Sequence, residues 1–337
     1  MIDHTNTASS SSVLEIKNLQ VNFPVHNQWF PAVSNINLRI APGEIVGIVG
    51  ESGSGKSVMS QSILRLKDHD TAVKYNGEIL FNGEDLLKKD LHQMQEIRGN
   101  QISIIFQDPL NSLSPVHTIG KQLSEILLLH KKLTKKEAAI RSVEMLKLTG
   151  ISNPEACMKK YPFELSGGMV IAIALACNPE LLIADEPTTA LDVTIQEQIL
   201  HLIQELNEKM KMSVLFITHD MGAVAQLCHS IKVMYLGQIV EDAGTEELFS
   251  APLHPYTQGL LSCIPHLGIE KGKKLPTISG TVPPLTQIPE GCHFCTRCSE
   301  ATEQCRTTQP PLVKAKHNHW VKCWNYVDHA FPGKEEF

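Results

Sequence analysis

The segment from Gly50 to Ser57 restricts the possible folds of this chain more than any other part of its sequence. It reads Gly-Glu-Ser-Gly-Ser-Gly-Lys-Ser, which fits the phosphate-binding pattern G-x-x-x-x-G-K-[ST]. The apolar run Ile45 to Val49 before it predicts a buried strand, and an apolar helix is predicted to begin at Val58. Glycines let successive backbone N–H groups point at one anion, and a helix N-terminus adds partial positive charge. The segment therefore predicts a nucleotide site in an α/β fold.

We expect this loop to bind the phosphates of ATP. The expected contacts are with Gly50, Glu51, Ser52, Gly53, Ser54, Gly55, Lys56, Ser57 and Val58. Lys56 is expected to reach the β- and γ-phosphates, and Ser57 to ligate Mg²⁺. A chance match in a chain of 337 residues is roughly a one-in-a-hundred event at usual glycine frequencies. A plain glycine-rich turn is therefore the weaker interpretation.

Two carboxylates follow a second apolar run. Leu181 to Ala184 predicts a buried strand, and Asp185 and Glu186 stand at its end. We expect Asp185 to hold Mg²⁺ through water and Glu186 to polarise the water that attacks the γ-phosphate, because phosphoryl transfer depends on positioning and charge neutralisation. Alone, such a pair more often caps the next helix. Its combination with the phosphate-binding loop favours the catalytic interpretation.

The remaining apolar patterns predict a mostly parallel sheet covered by helices, with additional antiparallel strands. Antiparallel strands are predicted over 13–23 and 32–40, a helical region over 122–148, strands over 181–184 and 213–218, and an amphipathic helix over 194–209. Near His254 and Pro255 this alternation stops, and a proline-rich passage leads to a group of cysteines.

The composition of the chain excludes some classes of function. The chain is 42% apolar and 20% charged, which is typical of a globular protein, and its formal charge of −6 without a basic block argues against binding nucleic acid. No apolar run approaches the roughly 18 residues of a spanning helix, so a membrane role would be peripheral. Residues 1–12 predict a disordered tail without the features of a signal peptide, and we expect a cytoplasmic chain.

The segment Leu165-Ser-Gly-Gly-Met169 resembles the signature motif of ATP-binding-cassette (ABC) proteins. The resemblance covers roughly residues 13–265 and implies an ABC ATPase core with an antiparallel β subdomain and a helical insert at about 108–168. In that family the signature of one subunit faces ATP held by the loop of another. The resemblance thus implies that Ser166, Gly167 and Gly168 contact the partner's nucleotide.

Other family elements match single positions. Gln107 resembles the glutamine that senses the γ-phosphate and Mg²⁺, and Asp192, in Ala-Leu-Asp, resembles the loop that contacts the partner subunit. His219 resembles the switch histidine that hydrogen-bonds the γ-phosphate, so the implied catalytic set is Glu186, His219 and Lys56. Phe23 is the best-placed aromatic residue to stack on adenine, with Trp29 or Phe30 as alternatives.

The sequence departs from the family pattern directly after the signature. Met169 runs straight into an apolar helix, and about four residues of a Gln- and Arg-rich turn are missing. That loss would shorten the helix by about 6 Å and rotate its faces by about 40°. We expect the fold to tolerate the change and the active site that uses this signature to be impaired.

The end of the chain resembles the oligopeptide, dipeptide and nickel branch of ABC importers. His-Pro-Tyr-Thr-Gln-Gly-Leu-Leu from His254 and the later Gly-Cys-His-Phe-Cys-Thr-Arg-Cys carry this resemblance. It implies a small Cys-rich extension over 266–337, in which a [4Fe-4S] cluster is ligated by Cys292, Cys298, Cys305 and Cys323. Four thiolates would also suit Zn²⁺, and the nearby histidines are His293, His317 and His319.

The resemblance implies an ATPase subunit of a di- or oligopeptide importer, peripheral at the cytoplasmic face of the membrane. The implied partners are a paralogous ABC ATPase in a heterodimer, two transmembrane permease subunits and, indirectly, an extracellular peptide-binding protein. The alternatives are a nickel or opine importer, a soluble ABC ATPase of repair or translation, and a regulatory nucleotide-binding subunit whose hydrolysis is impaired by the shortened signature region.

Overall fold

Two β-sheets form the framework of the chain, for which a computed structural model describes residues 12–68, 73–108, 112–164, 168–189, 192–264 and 276–329. The strands are β1 (Leu14–Val25), β2 (Gln28–Ile40), β3 (Ile45–Val49), β4 (Lys74–Phe81), β5 (Glu84–Asp85), β6 (Ile102–Ile105), β7 (Leu181–Asp185), β8 (Ser213–Thr218), β9 (Ser230–Tyr235), β10 (Gln238–Gly244), β11 (Val313–Lys316) and β12 (His319–Val321). The helices are α1 (Lys56–Ile63), α2 (Leu91–Ile97), α3 (Ile119–Lys131), α4 (Lys135–Leu148), α5 (Pro154–Cys157), α6 (Gly168–Leu175), α7 (Val193–Met210), α8 (Met221–Leu227), α9 (Thr245–Ser250), α10 (Pro255–Ser262) and α11 (Glu303–Thr307).

The larger sheet is mixed, with the strand order β11-β12-β10-β9-β3-β8-β7-β6. The pairs that join β6, β7, β8, β3 and β9 are parallel, whereas β10, β12 and β11 are added antiparallel. Every residue of β3, β7 and β8 is buried, as expected for parallel strands covered on both faces. The predicted strand, helix and strand at β7, α7 and β8 are confirmed.

The alternation of side chains along these strands divides the core in two. On β3, Val46 and Ile48 pack toward the smaller sheet and helices α1 and α2, whereas Ile45 and Val49 belong to the cluster built with helices α3 to α10. Strand β8 alternates in the same way. Because side chains of a strand point to opposite faces in turn, one apolar run supplies both layers. Among the described residues no helix has the length and apolar character needed to cross a membrane.

The smaller sheet is antiparallel, in the order β2-β1-β4-β5, and contains the two strands predicted at 13–23 and 32–40. Pairing extends further than predicted, to Val25 opposite Gln28. The turn between them places His26 and Asn27 at φ of 47° and 62°. Two successive positive φ values are typical of the tight turns that continue a hairpin, which explains the longer strands.

The predicted helical stretch 122–148 is divided in the structure into α3 and α4. Lys132, at φ 53°, ends α3, and Thr134 begins α4 with a capping box in which its hydroxyl accepts from the Glu137 N–H. Thr-x-x-Glu is a recognisable helix start, so the sequence contained the signal that separates the two helices.

A hairpin formed by β11 and β12, within the described residues 276–329, joins the larger sheet. Strand β12 pairs with β10 through Val321 opposite Glu241, and β11 pairs with β12. The buried Glu241 carboxylate accepts hydrogen bonds from the N–H groups of Leu253 and His254, at 2.7 and 2.9 Å, and contacts His319 Nε2 at 2.7 Å. This carboxylate ties the start of α10 to the added hairpin. The predicted boundary at 265/266 lies outside the described residues.

We expect acid to destabilise the fold partly through His254, the residue that caps α10. Its Nδ1 accepts from the Tyr256 N–H at 3.0 Å, and burial lowers its pKa to about 4 from 6.5. Between these pH values the unfolded chain binds the additional proton, so this contribution is complete above pH 6.5 and is lost as pH falls toward 4. Its full size is about 3 kcal/mol.

His254→Asn keeps an acceptor for the cap and removes the titration. Its melting temperature should therefore fall less than that of the wild type between pH 7 and 4.5. His201→Asn, at a residue whose side chain is 71% exposed, serves as the control and should follow the wild type. Equal pH dependence of His254→Asn and wild type would contradict this account.

Candidate nucleotide site

The candidate site lies at the carboxyl edge of the parallel strands. Gly50 follows β3, Glu186 follows β7 and His219 follows β8, each directly, and Gln107 comes two residues after β6. Since parallel strands end at the same edge, four segments distant in sequence meet there. The structure thus brings together four positions singled out from the sequence.

The phosphate-binding loop is packed so closely that two of its glycines have no room for a side chain. A Cβ on Gly50 would lie 2.2 Å from the Met234 carbonyl oxygen, and one on Gly55, at φ 99°, would lie 2.8 Å from the Ala32 carbonyl oxygen. Helix α1 begins at Lys56 immediately after this turn. The loop is therefore held between β2 and β9. Its N–H groups other than those of Glu51 and Ser54, which donate to the Tyr256 hydroxyl and the Glu51 carbonyl oxygen, are expected to bind an anion.

Lys56 is buried within the site. Its Nζ donates to the carbonyl oxygens of Gly50, at 2.7 Å, and Glu51, at 3.0 Å, and lies 4.0 Å from Glu186 Oε1. Burial lowers the pKa of Lys56, and the carboxylates of Glu186 and Asp185 partly oppose that shift. A buried cation with only partial compensation suits an anionic ligand.

A cavity of about 470 Å³ opens over the loop. Its lining consists of Ala32, residues 52–58, Gln107, Glu186, and Val282, Pro283, Pro284 and Leu285. The last four belong to the proline-rich passage, for which no role at the nucleotide site was predicted. Phe23 is absent from this lining and packs instead against the apolar cluster of the smaller sheet and α1, so its adenine contact stays a prediction.

Oxygen ligands suited to Mg²⁺ converge beside the loop. The Ser57 hydroxyl donates to Asp185 Oδ1 at 3.2 Å, and the Ser60 hydroxyl donates to Oδ2 at 3.1 Å. Burial raises the pKa of Asp185, and the two hydroxyls oppose that shift. Hydroxyl and carboxylate oxygens are hard donors of the type that Mg²⁺ prefers, so the Ser57 hydroxyl and the Asp185 carboxylate fit the ion. Ser60 was not singled out from the sequence, although it lies one turn after Ser57.

Glu186 is the centre of the polar contacts in the site. Its Oε2 accepts hydrogen bonds from Gln107 Nε2 and Thr189 Oγ1, both at 3.0 Å, and its Oε1 lies 3.4 Å from His219 Nδ1. The residue adopts φ 51°, which is rare for glutamate and is held by a hydrogen bond from its N–H to the Ile217 carbonyl oxygen. Its carboxylate is thereby fixed next to the cavity and can orient a water molecule.

Of the positions predicted to contact a partner subunit, those that the structure describes do not line the cavity over the loop. Ser166 and Gly167 of the signature lie outside the described residues, as do 190 and 191, whereas Gly168 begins α6. Asp192 caps α7, accepting from the Ile195 N–H at 3.0 Å. A contact of these positions with a partner subunit stays a prediction.

The cysteines of the predicted cluster are near one another. The Cys292 N–H donates to the Cys305 carbonyl oxygen at 2.7 Å. Burial raises the pKa of Cys292 and of Cys323 to about 11. The nearby Cys305 thiol contributes to the increase of both pKa values. Cys298 interacts electrostatically with Cys323. These four thiols therefore face a common region.

The proximity of these thiols does not amount to a metal site in the part of the chain that the structure describes. In the described part of the chain no group of three or more His, Cys, Asp or Glu has an arrangement that would hold a metal ion. Two of the histidines weighed as zinc ligands have other partners, since His293 Nδ1 contacts the Leu236 carbonyl oxygen at 2.9 Å and His319 contacts Glu241. The described residues therefore do not support the [4Fe-4S] cluster or Zn²⁺, and both stay predictions.

The fold and this site define a phosphate-binding-loop ATPase of the ATP-binding-cassette class. Comparison with known proteins supports the same class. Residues 33–189 match the model of the ABC transporter family, and residues 240–305 match the oligopeptide/dipeptide transporter, C-terminal region.

Full-length relatives support the same assignment. The chain is 47% identical over 316 residues to the probable peptide ABC transporter ATP-binding protein y4tR of Sinorhizobium fredii, covering 93% of this chain and 94% of that protein. It is 48% identical over 322 residues to the oligopeptide transport ATP-binding protein AppD of Bacillus subtilis, covering 94% and 98%. Among solved structures, the dimeric ATP-binding cassette MJ0796 bound to ADP and Pi is 29% identical, with a TM-score of 0.61, covering 69% of this chain and 98% of that one. The chain belongs to the ABC transporter ATP-binding proteins of the oligopeptide/dipeptide type.

We expect Glu186→Gln to lower ATP hydrolysis about 100-fold or more, since a general base typically contributes at least that factor. ATP affinity should be unchanged or tighter, because the substitution removes a negative charge beside the phosphates. Phosphate release and nucleotide binding by the assembled transporter measure the two quantities.

Glu180→Gln provides the matched control, at the exposed residue that precedes the same strand β7. It should hydrolyse ATP at the wild-type rate. A Glu186→Gln protein that also retains wild-type turnover would show that another group acts as the base.

Proposed function

We propose that this chain is the ATP-hydrolysing subunit that energises an importer of di- and oligopeptides. The observation that carries the proposal is the convergence of the phosphate-binding loop, Asp185, Glu186, Gln107 and His219 at one sheet edge. The cargo is supported by the relatives y4tR and AppD, which are named as peptide and oligopeptide transport proteins.

In this mechanism the loop N–H groups and Lys56 bind the phosphates of ATP. Ser57 and Asp185 would hold Mg²⁺, with Gln107 nearby, and the ion would offset phosphate charge. Glu186 orients and polarises the attacking water, and Gln107 fixes the carboxylate through their 3.0 Å hydrogen bond. His219 would also hydrogen-bond the γ-phosphate, which its 62% exposed side chain and its position 3.4 Å from Glu186 Oε1 support.

A partner subunit completes the site. Ser166, Gly167 and Gly168 of one chain cover the ATP held by the loop of the other, and Asp192 contributes to the contact between subunits. The dimeric form of the related cassette MJ0796 supports this arrangement. The partner is a paralogous ATPase in a heterodimer at the cytoplasmic face of the membrane. Two transmembrane permease subunits convert its closure into transport, and a peptide-binding protein supplies the cargo.

The missing turn after Met169 should impair the active site to which this chain contributes its signature. Inserting a Gln- and Arg-containing turn of four residues after Met169 should raise ATP turnover of the assembled complex, because polar groups of that turn anchor the signature loop. A four-residue insertion in the exposed loop near Gly150 is the control for chain length. Equal turnover before and after the restoration would contradict the hypothesis.

Uptake of labelled peptides tests the cargo. Cells that lack this gene should lose uptake of di- and oligopeptides, and the wild-type gene should restore it, whereas Lys56→Ala should not. Loss of nickel or opine uptake with unchanged peptide uptake would contradict the peptide assignment and support one of those two cargoes.

A further inference from the structure

Arg297, which lies between two of the clustered cysteines, contacts the phosphate-binding loop. Its Nη1 donates to Glu51 Oε2 at 2.6 Å, and its Nη2 donates to Oε1 at 3.0 Å. The arginine side chain is only 3% exposed. Paired, nearly parallel hydrogen bonds between a guanidinium and a carboxylate are strong and directional. The contact spans 246 residues of sequence and attaches the end of the chain to the loop.

The same guanidinium also holds a wall of the cavity. Arg297 Nε donates to the Ser279 carbonyl oxygen at 2.8 Å. Three residues later the chain lines the nucleotide cavity from Val282 to Leu285. One side chain thus fixes both the loop and the segment that faces it across the cavity.

An aromatic cluster positions Arg297 and the loop relative to each other. Phe294 packs against Tyr235 and Tyr256, with ring centroids 5.2 and 5.3 Å apart. The Tyr256 hydroxyl in turn accepts from the Glu51 N–H at 2.8 Å. Glu51 is therefore held at its backbone by Tyr256 and at its side chain by Arg297.

The charge of Glu51 gives the contact a role in binding. Glu51 is the second residue of a loop that binds a polyanion, and its carboxylate would repel phosphates if it were unpaired. Arg297 neutralises this carboxylate, and the carboxylate raises the pKa of Arg297 through their hydrogen bonds. Without the arginine, a partly buried negative charge would remain next to the phosphate site.

We propose that Arg297 is a positioning residue for ATP binding, so that the segment after the cassette is a built-in part of the nucleotide site. It acts by orienting and neutralising Glu51 and by fixing residues 279–285 against the cavity. The proposal rests on ATP binding by this chain and not on the identity of the transported cargo.

Binding of a fluorescent ATP analogue to the full-length chain tests this role. Arg297→Gln should weaken affinity about tenfold, because a buried charge loses its partner. Adding Glu51→Gln to that variant should recover part of the loss, since it removes the unpaired charge. Arg297→Lys should fall between wild type and Arg297→Gln. Arg306→Gln removes the same charge from an exposed position of the segment and should bind like the wild type.

Two further measurements make the result decisive. Loss of binding in Lys56→Ala establishes that the probe occupies the loop, and a wild type that did not bind would count against the ATPase function itself. Melting curves identify variants that do not fold. If Arg297→Gln does not fold, the ATP affinities of Arg297→Lys and of the double variant test the proposal instead. Unchanged affinity in a folded Arg297→Gln protein, or a double variant that binds no better than the single one, would overturn the proposal.

Discussion

The parallel pairing of β6, β7, β8, β3 and β9 is the constraint on which the site depends. Parallel strands place their carboxyl ends at one edge, and their buried apolar runs leave the polar residues of the site at or just beyond those ends. Gly50, Glu186 and His219 come from separate parts of the sequence and meet because the strands that directly precede them are neighbours. The apolar strands therefore determine the geometry of the polar site.

Charge balance is the second organising feature. Lys56, Asp185 and Glu186 are all buried, and the pKa values of Lys56 and Asp185 shift because burial disfavours their charged forms. Nucleotide phosphates and a divalent cation would complete this arrangement of charges. Glu51 adds a further carboxylate at the loop, and the structure pairs it with Arg297. The end of the chain thereby participates in the electrostatics of the site.

The features that could be predicted from the sequence are those that depend on short stretches of residues. The loop at Gly50, the carboxylates after β7 and the main strands carry patterns of residue type and period that can be read within a short window. The break between α3 and α4 was also readable, through the capping box at Thr134 and Glu137, and was missed. The extension of the hairpin through His26 and Asn27 depended on turn geometry that His-Asn signals only weakly.

Long-range contacts were beyond local patterns. Nothing in the sequence near Pro283 indicates that it lines a nucleotide cavity, and the pairing of Arg297 with Glu51 depends on how Phe294 packs against the tyrosines of β9 and α10. At the thiols of Cys292 and Cys323, the sequence predicted more than the structure supports. The family resemblance implied a metal cluster at these thiols, and the described residues place them near one another without an arrangement that would hold a metal.

The most direct test of this account is an experimental structure of the full-length chain with Mg²⁺ and a non-hydrolysable ATP analogue. We expect phosphates on the N–H groups of the loop, the metal beside Ser57 and Asp185, and residues 282–285 against the nucleotide, with Arg297 still paired to Glu51. A nucleotide bound away from the loop, or metal ligands that exclude both Ser57 and Asp185, would contradict it.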